Sequence, residues 1–167
     1  MKKTILEEKH LLILSSYWES IFSDYNKIII RLINEIGLEN LLIKDHPTSP
    51  LNGTQIKSKY GINDYNIISK NISLENYLID NKRKIKTVLG PTSAALKYSS
   101  FLEINSFCYS NLFMSQKHYK DYSNEYFQLN NIKMLKSISE FKKSKNLKFK
   151  IIKKREKSLI SVFKEIL

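Results

Sequence analysis

The chain has 167 residues, a length that fits one domain with enough surface to bury a core. Hydrophobic residues make up 42% of it and charged residues 26%, which excludes the composition of a disordered polypeptide. The formal net charge of +12 favours an anionic partner such as nucleic acid, a membrane surface or phosphate.

The positive charge is concentrated towards the carboxyl terminus. Residues 133–157 contain eleven basic and two acidic side chains, a net charge of +9 out of +12 for the whole chain. We therefore predict a folded domain over residues 1–132 and a basic helical segment over residues 133–167. This segment could contact anionic lipid on a membrane surface, or it could be an ordinary solvated face.

Cysteine and histidine usage argues against a metal protein. Cys108 is the only cysteine, so neither an intrachain disulfide nor a cysteine-based zinc cluster can form. His10 and His118 lack metal-ligand spacing. Charged residues interrupt the amino-terminal apolar run, and no stretch approaches the ~20 apolar residues of a membrane span. We expect a cytoplasmic protein, peripheral on the inner face of the membrane if the basic segment binds lipid.

The first half of the chain predicts alternating strands and helices. The apolar run at residues 11–17 predicts a strand buried on both faces of a parallel sheet. Ser23 or Asp24 then caps a helix that ends at Gly37, and its apolar residues repeat at helical spacing. Residues 41–43 form the second strand, and Pro47 prevents its extension. A polar loop follows, and residues 65–69 predict a weaker third strand.

The same alternation continues beyond the third strand. Ser73 is a helix cap for residues 74–84, with Glu75 in the first turn, where a carboxylate suits the helix dipole. Residues 86–90 predict a fourth strand, residues 93–102 a short helix and residues 103–110 a fifth strand. Further helices are expected over residues 115–127 and 156–167. This order predicts an α/β fold, a Rossmann-like open parallel sheet with helices on both faces and functional loops at the carboxyl ends of its strands.

The first chemical candidate is His46, which follows the second strand and precedes Pro47. A histidine held at the carboxyl end of a strand can donate to a phosphate oxygen or protonate a leaving phosphate near neutral pH. The alternative is a turn histidine in solvent.

The second candidate is the turn after the fourth strand, "GPTSAAL". Gly90 and Pro91 form a turn that places the hydroxyls of Thr92 and Ser93 at a helix N-terminus. Backbone amides and the helix dipole favour an anion there. The alternative is a plain helix cap. The chain lacks the lysine of a P-loop and the GxGxxG dinucleotide fingerprint. Both candidates fall at strand carboxyl ends, so they should open on the same edge of the sheet.

The strand "LLIKDHP", the helix "SLENYL" and the segment "VLGPTSAAL" together resemble the nucleotide-binding half of bacterial sialyltransferases. These are the enzymes of lipooligosaccharide and polysialic acid capsule synthesis, and the resemblance spans residues 11–109. It implies the donor-binding half of a GT-B glycosyltransferase, in which two Rossmann-like domains face each other. It also implies CMP-sialic acid as the donor substrate, with no metal and no other cofactor.

The resemblance also implies roles for individual residues. His46 would contact the donor phosphate and act as an acid toward departing CMP. Thr92 and Ser93 would bind that phosphate, and Glu75 would lie near the ribose or the cytosine. The remaining members of the implied donor-binding set are Lys44, Pro47 and Gly90. Asp45 occupies the variable position of the Lys-x-His-Pro ending, where a carboxylate next to a phosphate site departs from expectation.

In that family a separate N-terminal domain binds the glycan acceptor and supplies the general base. This chain begins at the first strand of the donor domain, so we expect the acceptor half to come from elsewhere and the isolated chain to be inactive. Asp24 and Glu19 are local acids, for which a solvated surface role is the alternative.

Two other functions fit the sequence. The chain could belong to a glycosyltransferase that uses another CMP-sugar, such as CMP-Kdo. It could also be a non-catalytic Rossmann-like module that binds anionic lipid or nucleic acid through its basic segment. Nucleic acid is the weaker choice, because only three arginines are present and the tyrosine-rich stretch precedes the basic run instead of interleaving with it.

Overall fold

A computed structural model describes residues 8–113 and 132–147, which contain a six-stranded sheet flanked by helices. The strands are β1 (Lys9–Ile13), β2 (Leu41–Lys44), β3 (Ile67–Ile68), β4 (Ile85–Gly90), β5 (Asn105–Cys108) and β6 (Ile132–Met134). The helices are α1 (Ser16–Ile21), α2 (Tyr25–Ile36), α3 (Gly53–Tyr60), α4 (Leu74–Asn81), α5 (Ala94–Phe101) and α6 (Ile138–Ser144).

Every pair of neighbouring strands is parallel, and the strand order is β3-β2-β1-β4-β5-β6. This is the doubly wound order, in which the direction of strand addition reverses between β1 and β4. Parallel strands need crossover connections, and the described helices provide those from β1 to β5 on both faces of the sheet. The predicted Rossmann-like α/β fold is confirmed.

The core consists of two layers, one on each face of the sheet. Residues that alternate along a strand point to opposite faces, so Leu12 belongs to one layer and Leu11 to the other. The first layer packs the sheet against α2, α3 and α6, and the second packs it against α4 and α5. Burial on both faces explains why β1 reads as a continuous apolar run.

The first strand is shorter than the sequence predicted, and the second half of the predicted strand is wrong. β1 ends at Ile13, and residues 16–21 form helix α1. Ser15 caps this helix by accepting a hydrogen bond from the Trp18 N–H, and its own N–H donates to the hydroxyl of Tyr25 at 2.8 Å. A serine cap between two apolar stretches therefore ends the strand.

The polar loop predicted between the second and third strands is also wrong, because it contains helix α3. Asn52 and Gln55 form a reciprocal capping box at its start, and Gly61 ends it in the left-handed conformation with φ 64°. Only Ile56 and Tyr60 of this helix are buried, so its hydrophobic periodicity is weak.

The elements from α2 onward otherwise follow the sequence signals. Helix α2 has Asp24 at its N-cap position and Gly37 at its C-cap, and Ser73 caps α4. The strands predicted at residues 65–69, 86–90 and 103–110 correspond to β3, β4 and β5.

The carboxyl-terminal part of the described chain belongs to the same α/β unit. Strand β6 pairs with β5 and crosses the boundary expected after residue 132, and α6 buries Phe141 in the first core layer. The helices expected over residues 115–127 and 156–167 lie outside the described residues. Within residues 8–113 and 132–147, no helix is long and apolar enough to cross a membrane.

Candidate anion-binding site

A cavity of about 510 Å³ lies at the carboxyl ends of β1 and β2 and between the N-termini of α4 and α5. We call it the main cavity. Its lining comes from Ile13 and from residues 44–47, 70–75 and 93–95. Five of the seven predicted site residues are part of this lining: Lys44, His46, Pro47, Glu75 and Ser93. Gly90 and Thr92 are not.

The two helix N-termini at the main cavity differ in the side chains that cap them. At α4, the Ser73 hydroxyl accepts from the Asn76 N–H at 3.4 Å and donates to Glu75 Oε2 at 2.8 Å. A carboxylate therefore already occupies the positive end of α4. At α5 no acidic residue lies in the first turn, and the cap residue Ser93 makes no side-chain capping bond. The N-terminus of α5 is the one open to an anion.

Ser93 carries the clearest sign of an unfilled contact. Its Oγ is buried and has no hydrogen-bond partner within the described residues. A buried hydroxyl without a partner costs free energy that a ligand atom or a water would recover.

Thr92 and Gly90 support the turn instead of lining the cavity. The Thr92 N–H donates to Ser110 Oγ at 2.8 Å, and the two hydroxyl oxygens lie 3.0 Å apart. A side chain at Gly90 would place its Cβ 3.4 Å from Ile13 Cδ1 and 3.4 Å from Leu96 Cδ2, a tight fit in the core. The expected pair of phosphate-binding hydroxyls is thus divided, with Ser93 at the cavity and Thr92 bonded to Ser110.

His46 is exposed at the rim, and its hydrogen bonds fix the tautomer of the neutral ring. Its Nδ1 accepts from the Thr48 N–H at 3.3 Å and lies 2.8 Å from Thr48 Oγ1. A backbone amide can only donate, so the proton of the neutral imidazole is on Nε2. Within the described chain Nε2 has no other partner, which leaves it as a donor for a ligand oxygen.

Lys44 brings a buried cation to the floor of the main cavity. The residue is 2% exposed, and its Nζ donates to the Lys70 carbonyl at 3.3 Å. Burial is the main cause that lowers the pKa of Lys44, the Lys70 charge adds to it, and the carboxylates of Asp45 and Glu75 oppose it. An anionic ligand would favour the charged form of this lysine.

Sequence reasoning missed Lys70 and Ser110. Lys70 lies in the turn after β3, where it lines the main cavity and donates to the Ser49 carbonyl at 2.5 Å. Ser110 was visible only as the last residue of a predicted strand. Neither position carries a motif, so no signal in the sequence distinguishes them from other turn residues.

The two local acids lie away from the main cavity. Burial would raise the pKa of Glu19, but hydrogen bonds from Lys59 and Asn26 and the Lys59 charge outweigh it and hold the pKa below its usual range. Asp24 lines a different, 300 Å³ cavity together with Phe22 and Phe113. Neither carboxylate is part of the main cavity lining.

Comparison with known proteins adds no family to this geometry. No family model matches the chain, and no curated protein matches it significantly. Among residues 8–113 and 132–147 no group of histidine, cysteine, aspartate and glutamate could hold a metal ion, and His118 lies outside these ranges.

Proposed function

We propose that this chain is the donor-binding domain of a sialyltransferase-like glycosyltransferase and that the main cavity binds the CMP part of CMP-sialic acid. The single observation that carries the proposal is the convergence of His46 and the unpartnered Ser93 hydroxyl in one cavity. These residues are 47 positions apart in the sequence, and each belongs to a separate motif at the carboxyl end of a strand.

Three features of the main cavity support the proposal that it binds phosphate. The N-terminus of α5 supplies backbone amides and the positive end of a helix dipole. Ser93 supplies a hydroxyl whose oxygen has no other partner in the described chain. Lys44 supplies a buried positive charge, which interacts more strongly with an anion than an exposed lysine does.

Leaving-group catalysis would come from His46. Departure of CMP puts negative charge on a phosphate oxygen, and an imidazolium proton delivered from Nε2 would neutralise it. In the imidazolium form Nδ1 also carries a proton, and it can donate to Thr48 Oγ1, 2.8 Å away. The Thr48 hydroxyl can therefore stay bonded to the ring in both protonation states, whereas the bond from the Thr48 N–H to Nδ1 is lost on protonation.

The acceptor side of the reaction is not accounted for by the main cavity. Of its two carboxylates, Glu75 accepts from the Ser73 hydroxyl, and Asp45 accepts from the His46 N–H at 2.8 Å through Oδ1 while its Oδ2 is buried. We propose that a separate domain or chain provides the acceptor site and the general base.

The proposal is tested by calorimetric titration of the full chain with CMP. We expect binding by the native chain and a loss of about tenfold or more in affinity for Ser93→Ala and for His46→Ala, since hydrogen bonds to a charged group contribute about 1.5–3 kcal/mol. Ser58→Ala, at an exposed position of α3, is the matched control and should bind like the native chain. Folded protein that gives no CMP heat at millimolar concentration would rule the proposal out.

The identity of the sugar is a separate part of the proposal. Titration with CMP-sialic acid and CMP-Kdo would distinguish the two donors, because both share the CMP group and differ in the sugar. Tighter binding of CMP-Kdo would retain the CMP site and replace the sialyltransferase assignment.

A further inference from the structure

A second cavity of 300 Å³ lies beside the main cavity, and we call it the side cavity. The two share Asp45, Lys70 and Asn71 in their linings, so a ligand anchored in one can extend into the other. The walls of the side cavity are largely apolar, formed by Ile56, Ile67 and Ile68. A slot of this size and character suits a planar, uncharged ring.

Asp45 lies at the junction of the two cavities, and only one of its two carboxylate oxygens has a hydrogen-bond partner in the described chain. The residue is 4% exposed, and Oδ1 accepts the His46 N–H at 2.8 Å. Oδ2 is buried and has no hydrogen-bond partner within the described residues. An ionised carboxylate can only accept, and leaving it buried without a donor is costly, so the missing partner is a donor group.

A nucleotide anchored by its phosphate in the main cavity offers such a donor on its base. Cytosine carries an exocyclic amino group that donates, whereas uracil carries a carbonyl oxygen at the same position. Aspartate accepts from the cytosine amino group in protein–nucleic acid complexes for this reason. A carboxylate opposite the uracil oxygen would bring two acceptors together.

We propose that the side cavity holds the pyrimidine base and that Asp45 Oδ2 accepts a hydrogen bond from the exocyclic amino group, so that the chain selects cytidine over uridine nucleotides. This inference rests on the proposed function, and it assigns a role to the carboxylate that departs from the expected Lys-x-His-Pro pattern. Oδ2 is buried in the structure, so the groups around it must shift before the base can reach it.

Gly53 offers a way to close the side cavity without disturbing the core. It is exposed in the first turn of α3, and a Cβ added there meets no atom within 4 Å. Gly53→Leu should therefore fold and fill the side cavity. Thr54→Leu, at the neighbouring exposed position that is not part of the lining, is the matched control.

The test is calorimetric titration of the full chain and its variants with CMP, UMP and ribose 5-phosphate. We expect the native chain to bind CMP about tenfold or more tightly than UMP. Asp45→Asn keeps the shape and can also donate, so it should reduce the CMP-to-UMP preference to about threefold or less. Gly53→Leu should weaken CMP about tenfold and leave ribose 5-phosphate unchanged, whereas Thr54→Leu should change neither.

Each other outcome contradicts a defined part of the scheme. Equal affinities of the native chain for CMP and UMP, or an unchanged preference in Asp45→Asn, would overturn this inference and leave the CMP-sugar site standing. If Asp45→Asn weakens CMP and UMP equally and leaves 2′-deoxy-CMP unaffected, Asp45 contacts the ribose and the base assignment is wrong. No binding of CMP would overturn the proposed function as well. Thermal unfolding of Asp45→Asn confirms that it folds.

Discussion

Acidification should destabilise this fold through His10, a buried histidine in β1. The side chain is 5% exposed, its Nδ1 lies 2.7 Å from Thr87 Oγ1, and its ring packs edge-on against Phe141. Burial, with smaller contributions from the charges of Lys86 and Lys145, lowers the pKa of His10 from 6.5 to about 4. The folded chain therefore keeps His10 neutral at a pH where the unfolded chain protonates it.

Proton binding by His10 links the free energy of unfolding to pH. Because the folded pKa is depressed, the unfolded state binds more protons between pH 6.5 and about pH 4, and stability falls as pH falls through that window. Each pH unit within it costs about 1.4 kcal/mol. Between pH 7 and pH 5 the contribution of His10 to the free energy of unfolding should fall by about 2 kcal/mol.

The assay is urea unfolding followed by circular dichroism at pH 7 and pH 5. His10→Asn is the comparison, because its amide can still reach Thr87 Oγ1 and does not titrate. We expect the native chain to lose about 2 kcal/mol more than this variant does. Equal losses in both proteins would show that His10 is not held neutral in the folded chain.

Three further predictions concern the main cavity, the basic segment and the reaction. Lys44→Met removes a buried charge and keeps a similar shape, so titration should show CMP affinity about tenfold lower while urea unfolding shows no loss of stability beyond about 1 kcal/mol. If the basic segment binds lipid, binding of the chain to anionic vesicles should fall steeply from low to physiological salt. Truncation after Leu147 should abolish vesicle binding without changing CMP affinity. Equal binding to neutral vesicles would contradict the electrostatic account. The isolated chain should transfer little or no sialic acid in a product assay, and adding an acceptor domain should restore transfer that His46→Ala removes; robust turnover by the chain alone would mean that it contains the general base.

The parts of the site that the sequence could predict are those set by strand order and local motif. His46 and Ser93 follow strands β2 and β4, and carboxyl ends of parallel strands open on one edge of the sheet. Their presence in one cavity follows from the fold class. The division between Ser93 and Thr92 could not be predicted, because it depends on the position of Ser110 in the turn after β5.

The parts that were missed depend on tertiary contacts or on weak periodicity. The start and stop signals of α3 were present in Asn52, Gln55 and Gly61. The segment between them lacks a clear helical repeat of apolar residues, so the sequence did not indicate a helix. Strand β6 has three residues, of which only Ile132 is buried, so its sequence does not indicate a strand. Its extended conformation comes from pairing with β5. Lys70 reaches the main cavity only because the turn after β3 lies beside β2.

The most direct test of the central claim is a crystal structure of the full chain with CMP bound. We predict that the CMP phosphate lies in the main cavity, with one oxygen within about 3 Å of Ser93 Oγ and another within about 3 Å of His46 Nε2. A phosphate bound elsewhere would contradict this prediction. One such place is the 450 Å³ cavity beside Lys82 and Lys86, at the amino ends of β4 and β5.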